Sequence, residues 1–150
     1  MSDSLFRISL KAYIENEKGE VLVVKERGRS WWDLPGGGME HGENIKEALK
    51  RELKEEVNYD RDFTYEVIGV DEPHLLLRDI WQVRLVFRVV PVTFDFESGE
   101  EGDDVRFADP NEFEKSESGA ERLVCYYSRK LKGDLSYDSL MPSRETHNGL

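Results

Sequence analysis

The sequence predicts a mixed α/β fold of the α+β kind: a curved, mixed β-sheet with helices packed on its faces. Three observations carry this. Several runs rich in β-branched and aromatic residues read as strands. Two longer stretches repeat their apolar residues at helical spacing. The two kinds of element mix without strict alternation, which argues against a doubly wound parallel sheet. A chain of 150 residues is the size of one ordinary domain, expected over 1–132, with 133–150 as a loosely ordered tail.

Leu5–Ile14 partly alternates and reads as the first strand, "ENEKGE" as a turn, and Val21–Glu26 as a second strand pairing with the first in a hairpin. "GRSWWDLPGGG" is punctuated by proline and glycine and reads as loop. A helix is expected over Glu43–Val57. Phe63–Val70 and Ile80–Phe94 read as strands, the second bent near Pro91. "ESGEEGDD" is an acidic loop. "VRFADPNEF" looks like a short strand entering a helix start, with Asp109 capping before Pro110. Ala120–Leu131 is the second amphipathic helix.

The balance is acidic, 21 basic against 32 acidic side chains, a net charge of −11. Such a surface repels phosphodiester backbones and anionic lipid, which argues against coating DNA, RNA or membrane. A phosphate ligand would need a cation as intermediary. Cys125 stands alone, which excludes an internal disulfide or a cysteine-rich zinc site. No apolar run approaches a membrane span, and the first residues lack the pattern of a secretory signal, so a cytoplasmic protein is expected.

The first helix is unusual in where it puts its charge. On a helical wheel Glu52 and Glu56 fall on or beside the apolar side of Ile45, Ala48 and Leu49, with Glu55 at its margin. Lys46, Lys50 and Lys54 line the far side, and Glu47 and Arg51 are spaced as an ordinary surface pair. Like charges one turn apart on a packing face cost free energy, about 0.2–0.5 kcal/mol even when exposed and more when desolvated. A hard divalent cation turns that repulsion into ligation. Carboxylates without histidine or cysteine favour Mg²⁺, with Mn²⁺ as substitute. Upstream, Gly36, Gly37 and Gly38 let backbone approach a ligand closely.

Gly37, five residues, Glu43, seven residues and "RELKEEVNY" (Arg51–Tyr59) resemble the Nudix box, and "WDLPGG" before it is similar to that family's usual lead-in. Two positions depart: Asn58 replaces the closing glycine and Tyr59 the last apolar residue. Asparagine tolerates the left-handed conformation that ends a helix, so the stop is expected to survive. The resemblance implies a Nudix-type α/β/α sandwich and Mg²⁺-dependent hydrolysis of a nucleoside diphosphate linked to another moiety. It implies Gly37, Glu52, Glu55 and Glu56 as metal ligands, one glutamate orienting or deprotonating water, and Glu43 and Arg51 as structural support. It also implies a late-loop acid, for which Glu101 is the candidate catalytic residue.

Lys25 and Arg27 leave the second strand just before the loop, either as phosphate contacts or as solubilising strand-end charges, and Trp32 either stacks on a base or sugar or packs as a lid over the sheet edge. A (deoxy)nucleoside triphosphate of the MutT type is the expected substrate. An ADP-ribose or nucleotide-sugar pyrophosphatase, hinted at by Pro73, and a non-catalytic nucleotide-sensing module are the alternatives. The expected partner is a small nucleotide, and a homodimer is allowed.

Overall fold

The computed structural model describes residues 5–75, 79–100 and 102–133. Strand β1 (Phe6–Tyr13) is central to a four-stranded sheet of order β3-β1-β5-β4, with β3 at Gly36–Gly38, β4 at Phe63–Leu75 and β5 at Trp81–Pro91. β1 runs parallel to β5 and antiparallel to β3, and β4 is antiparallel to β5. A second, two-stranded sheet pairs β2 (Val21–Glu26) with β6 (Gly102–Ala108). The sheet is therefore mixed, as expected.

The expected β1–β2 hairpin does not form as a ladder. Glu15 bridges Val21 and Leu22 N–H donates to the Ile14 carbonyl, after which the strands part. Both edges of β1 are already taken, by β3 on one side and β5 on the other, so β2 finds its partner in β6. The glycine run, expected as loop, supplies that third strand.

Period-two alternation divides the core. Leu10 and Ala12 of β1 and Phe87 and Val89 of β5 pack under helix α1 (Ile45–Val57) against Ala48, Leu49, Leu53 and Val57. Tyr13 and Val86 point the opposite way, to helix α2 (Gly119–Leu131) through Leu123, Val124 and Tyr127, with Val21 and Val23 of β2. Sheet layers thus separate the two helices.

The helix ends follow their residues. Asn44 caps α1 through a capping box with Glu47, and Asn58 closes it at φ 52°, ψ 37°, the left-handed stop. Glu47 is thereby committed to Asn44, and Arg51 does not pair with it. β5 stops at Pro91 rather than Phe94, because the Val92 N–H turns to the Tyr59 hydroxyl at 3.0 Å. Asp109 caps a short 3₁₀ helix, Pro110–Phe113, and Ser118 caps α2. Outermost β4 meets α2, where Gly69 admits the Tyr127 hydroxyl and Lys130 Nζ donates to the Ile68 carbonyl at 2.8 Å. Of the expected tail, only Gly133 lies within the described residues.

Candidate active site

β3 is pressed between β1 and α1, and at Gly36 only glycine fits. Gly36 has φ +140°, and a Cβ on it would lie 1.9 Å from the Leu10 carbonyl oxygen. A Cβ on Gly37 would lie 2.7 Å from Glu52 Oε1, and one on Gly38 2.6 Å from Arg7 Nε. The backbone of this strand is therefore in direct contact with one acid of the helix and one arginine of β1.

Lys11 holds the approach to β3. Its ammonium donates to Asp33 Oδ2 at 3.0 Å and to the carbonyls of Leu34 and Gly36, both at 3.3 Å. The Gly36 N–H in turn donates to Glu56 Oε2 at 3.3 Å. Lys11 and Asp33 are both buried.

Arg51 gathers the acids of the box. Nε and Nη2 donate to the two oxygens of Glu43 at 2.7 and 3.0 Å, Nη2 to the Gly38 carbonyl at 2.9 Å, and Nη1 to Glu52 at 3.0 Å and Glu55 at 3.2 Å. Arg51 lowers the Glu43 pKa to about 2, chiefly by hydrogen bonding. The guanidinium thus ties helix, strand and the connecting loop together.

Glu52 and Glu56 are buried, at 6% and 2% exposure. Burial pushes the Glu52 pKa up, against the pull of Arg51. Glu56 is raised well above its ordinary value by burial, which Lys11 opposes and Glu26 and Glu52 reinforce. Burial raises both acids by more than the neighbouring Arg51 and Lys11 offset.

These groups border a cavity of about 180 Å³, floored by Gly36, Gly37 and Gly38. It brings Glu52, Glu56 and Gly37 together, as the sequence suggests. Glu55 is not among its lining residues, and its carboxylate accepts from Arg51. Glu52 and Glu56 form a buried pair, with Glu55 one turn along the same helix. Among the described residues no three His, Cys, Asp or Glu side chains converge as a metal-binding group. The donors that do converge, two desolvated carboxylates beside the glycine backbone, fit a hard divalent ion in chemistry.

Lys25, Arg27 and Trp32 lie outside this lining. Lys25 and Arg106 sit over the Trp32 ring, at 5.2 and 4.5 Å from its centroid. Arg27 donates to the Glu100 carbonyl at 3.4 Å. Glu101 lies outside the described residues. Sequence reasoning passed over Arg7, Ser9 and Lys11 of β1 and Gln82 and Arg84 of β5, which all line the cavity, with Glu26 and Arg29 at its rim. Their signal was a polar residue at every second position of each strand.

A mixed sheet carrying a glycine strand against an acid-bearing helix defines an α+β architecture with a built polar site. The domain model described as NUDIX matches residues 5–127, and the chain belongs to the NUDIX family. It is 39% identical over 72 residues to "Putative 8-oxo-dGTP diphosphatase" of Bacillus subtilis (strain 168), covering 43% of this chain and 48% of that one. It is likewise 39% identical over 64 residues to an RNA pyrophosphohydrolase of Marinomonas sp. (strain MWYL1), covering 43% and 39%. The chain thus spans less than half the length of these curated relatives. The crystal structure of a MutT protein from Methanosarcina mazei Go1 superposes with a TM-score of 0.61 at 26% identity, covering 75% of this chain and 83% of that one. Among the described residues no helix is long and apolar enough to cross a membrane.

Proposed function

We propose that this chain is a divalent-metal-dependent pyrophosphohydrolase that cleaves a nucleoside diphosphate linked to another moiety, with a (deoxy)nucleoside triphosphate of the MutT type as substrate. The observation that carries the reading is the buried Glu52–Glu56 pair set against backbone that only glycine can bring so close. Likeness to a MutT protein across most of both chains supports it, as does family membership.

Glu52 and Glu56, with Glu55 and the Gly37 carbonyl, would hold Mg²⁺ or Mn²⁺. When bound, such an ion offsets phosphate charge, polarises the phosphoryl oxygen and lowers the pKa of coordinated water. The chain's own residues prepare the rest. Arg51 and Glu43 fix the helix against β3, and Lys11 fixes the loop leading into it. A glutamate oxygen accepts the proton of the attacking water, help worth about 10²–10⁴-fold for a positioned general base. The pyrophosphate bond breaks as the water oxygen adds to phosphorus, and the departing phosphate takes up the proton. The single-domain extent over 1–132 and a cytoplasmic setting belong to the same proposal.

The test is incubation of the purified chain with Mg²⁺ and a panel of dNTPs, ADP-ribose, NADH, dinucleoside polyphosphates and capped RNA, with products identified. Cleavage of triphosphates is expected, and loss of it in the Glu55→Gln, Glu56→Gln double variant. No cleavage of any substrate, or undiminished turnover in that variant, would sink the proposal.

A further inference from the structure

The cavity beside the box acids is polar on every side. Among the described residues that line it there is no aliphatic or aromatic side chain, only charged and polar ones and the three glycines. Parallel pairing of β1 with β5 sets Arg7 opposite Gln82 and Ser9 opposite Arg84. Neighbouring strands lie about 4.8 Å apart and same-face residues about 6.7 Å apart, so four hydrogen-bonding side chains form a small grid.

Arg84 is fixed in that grid. It is 4% exposed, and Asp71 Oδ2 accepts from its Nε at 2.8 Å and lies 2.7 Å from its Nη2. Arg7 is exposed at the mouth, its guanidinium resting on the bare backbone of Gly38. Sites that bury a nucleoside are about 300–1,000 Å³ and mostly apolar. This one, at about 180 Å³, offers no ring to stack on and no apolar surface to desolvate against. Guanidinium forks and short polar groups suit phosphate oxygens instead.

Resting on the hydrolytic reading above, we infer that the Arg7–Ser9–Gln82–Arg84 grid receives the distal phosphate of the substrate, so that the protein selects by phosphate number and leaves the nucleobase outside, unread. Specificity then resides in the two sheet strands, and Arg7 is its adjustable member.

Binding and turnover separate the inference from the reading it extends. Isothermal titration with Mg²⁺ is expected to show inorganic tripolyphosphate binding at least 10-fold more tightly than pyrophosphate, with no detectable binding of guanosine or adenosine. Arg7→Gln, an exposed position that leaves the fold intact, is expected to weaken tripolyphosphate about 10-fold. In turnover, kcat/KM for ATP, GTP, dCTP and UTP should agree within about 5-fold, and Arg7→Gln should act on KM rather than kcat. Binding of a nucleoside alone, a base preference beyond 100-fold, or tripolyphosphate affinity unmoved by Arg7→Gln would overturn the inference. Tight tripolyphosphate binding with no cleavage of anything would uphold it and sink the hydrolytic reading.

Discussion

Lys11 is a cation almost without access to water, at 6% exposure, with protein acceptors for its ammonium group. Burial alone would lower its pKa, but Asp33, Glu56 and Glu26 outweigh that and keep it raised and charged. Breaking such a pair strands the other charge, a cost of about 3–5 kcal/mol. Lys11→Met is expected to lose that much in urea unfolding, and adding Asp33→Asn should restore at least half. An unchanged midpoint would refute the account. Glu56 behaves oppositely. Its folded pKa lies above the ordinary 4.5, so the folded state retains its proton longer, and metal-free stability falls as pH rises from about 4.5 towards the raised value. Glu56→Gln is expected to flatten that decline in thermal midpoints measured from pH 5 to 8. Glu43, lowered to about 2, contributes stability above 4.5 that is lost only as pH falls through that lower value. The acids were legible from sequence because helix geometry fixes which residues share a face. Arg7, Ser9, Lys11, Gln82 and Arg84 were legible only as strand alternation, since what a strand face looks onto depends on tertiary pairing.

At the scale of elements, β3 decides the site, and it is three glycines long. It joins β1 through Leu10 and Gly37 while α1 packs against it, so any side chain at Gly36 collides with the Leu10 carbonyl. Gly36→Ala is expected to cost about 2–4 kcal/mol by displacing backbone from both neighbours. Chemical denaturation measures this, and an equal stability would mean that the strand is not wedged as described. Glycine-rich sequence reads locally as turn, and only the free edge of β1 explains why it pairs. The same competition for an edge defeated the expected hairpin, since the turn "ENEKGE" says nothing of which strand β2 later meets. The helices, by contrast, were readable to within two residues at either end, because caps and apolar spacing are local. Asn58 illustrates the point: its left-handed conformation follows from its own side chain.

For the molecule as a whole, fold class and family were legible because the box spans helix, loop and strand together, and residues 5–127 match the domain model. The cavity lining was not, since its side chains converge from strands distant in sequence. Charge at this scale is also informative. The chain carries −11 overall, yet Lys11, Arg51 and Arg84 are drawn inward to hold backbone and acids in place. At the outermost strand, the Ile68 carbonyl would be a vacant socket for another chain's amide were Lys130 not seated on it. One ammonium on α2 thus occupies one acceptor of the outermost strand, and is expected to hinder strand addition at that point. Lys130→Gln is expected to raise light scattering at high protein concentration while changing the unfolding free energy by no more than about 0.5 kcal/mol, and scattering that stays flat would show that this contact does not guard the edge.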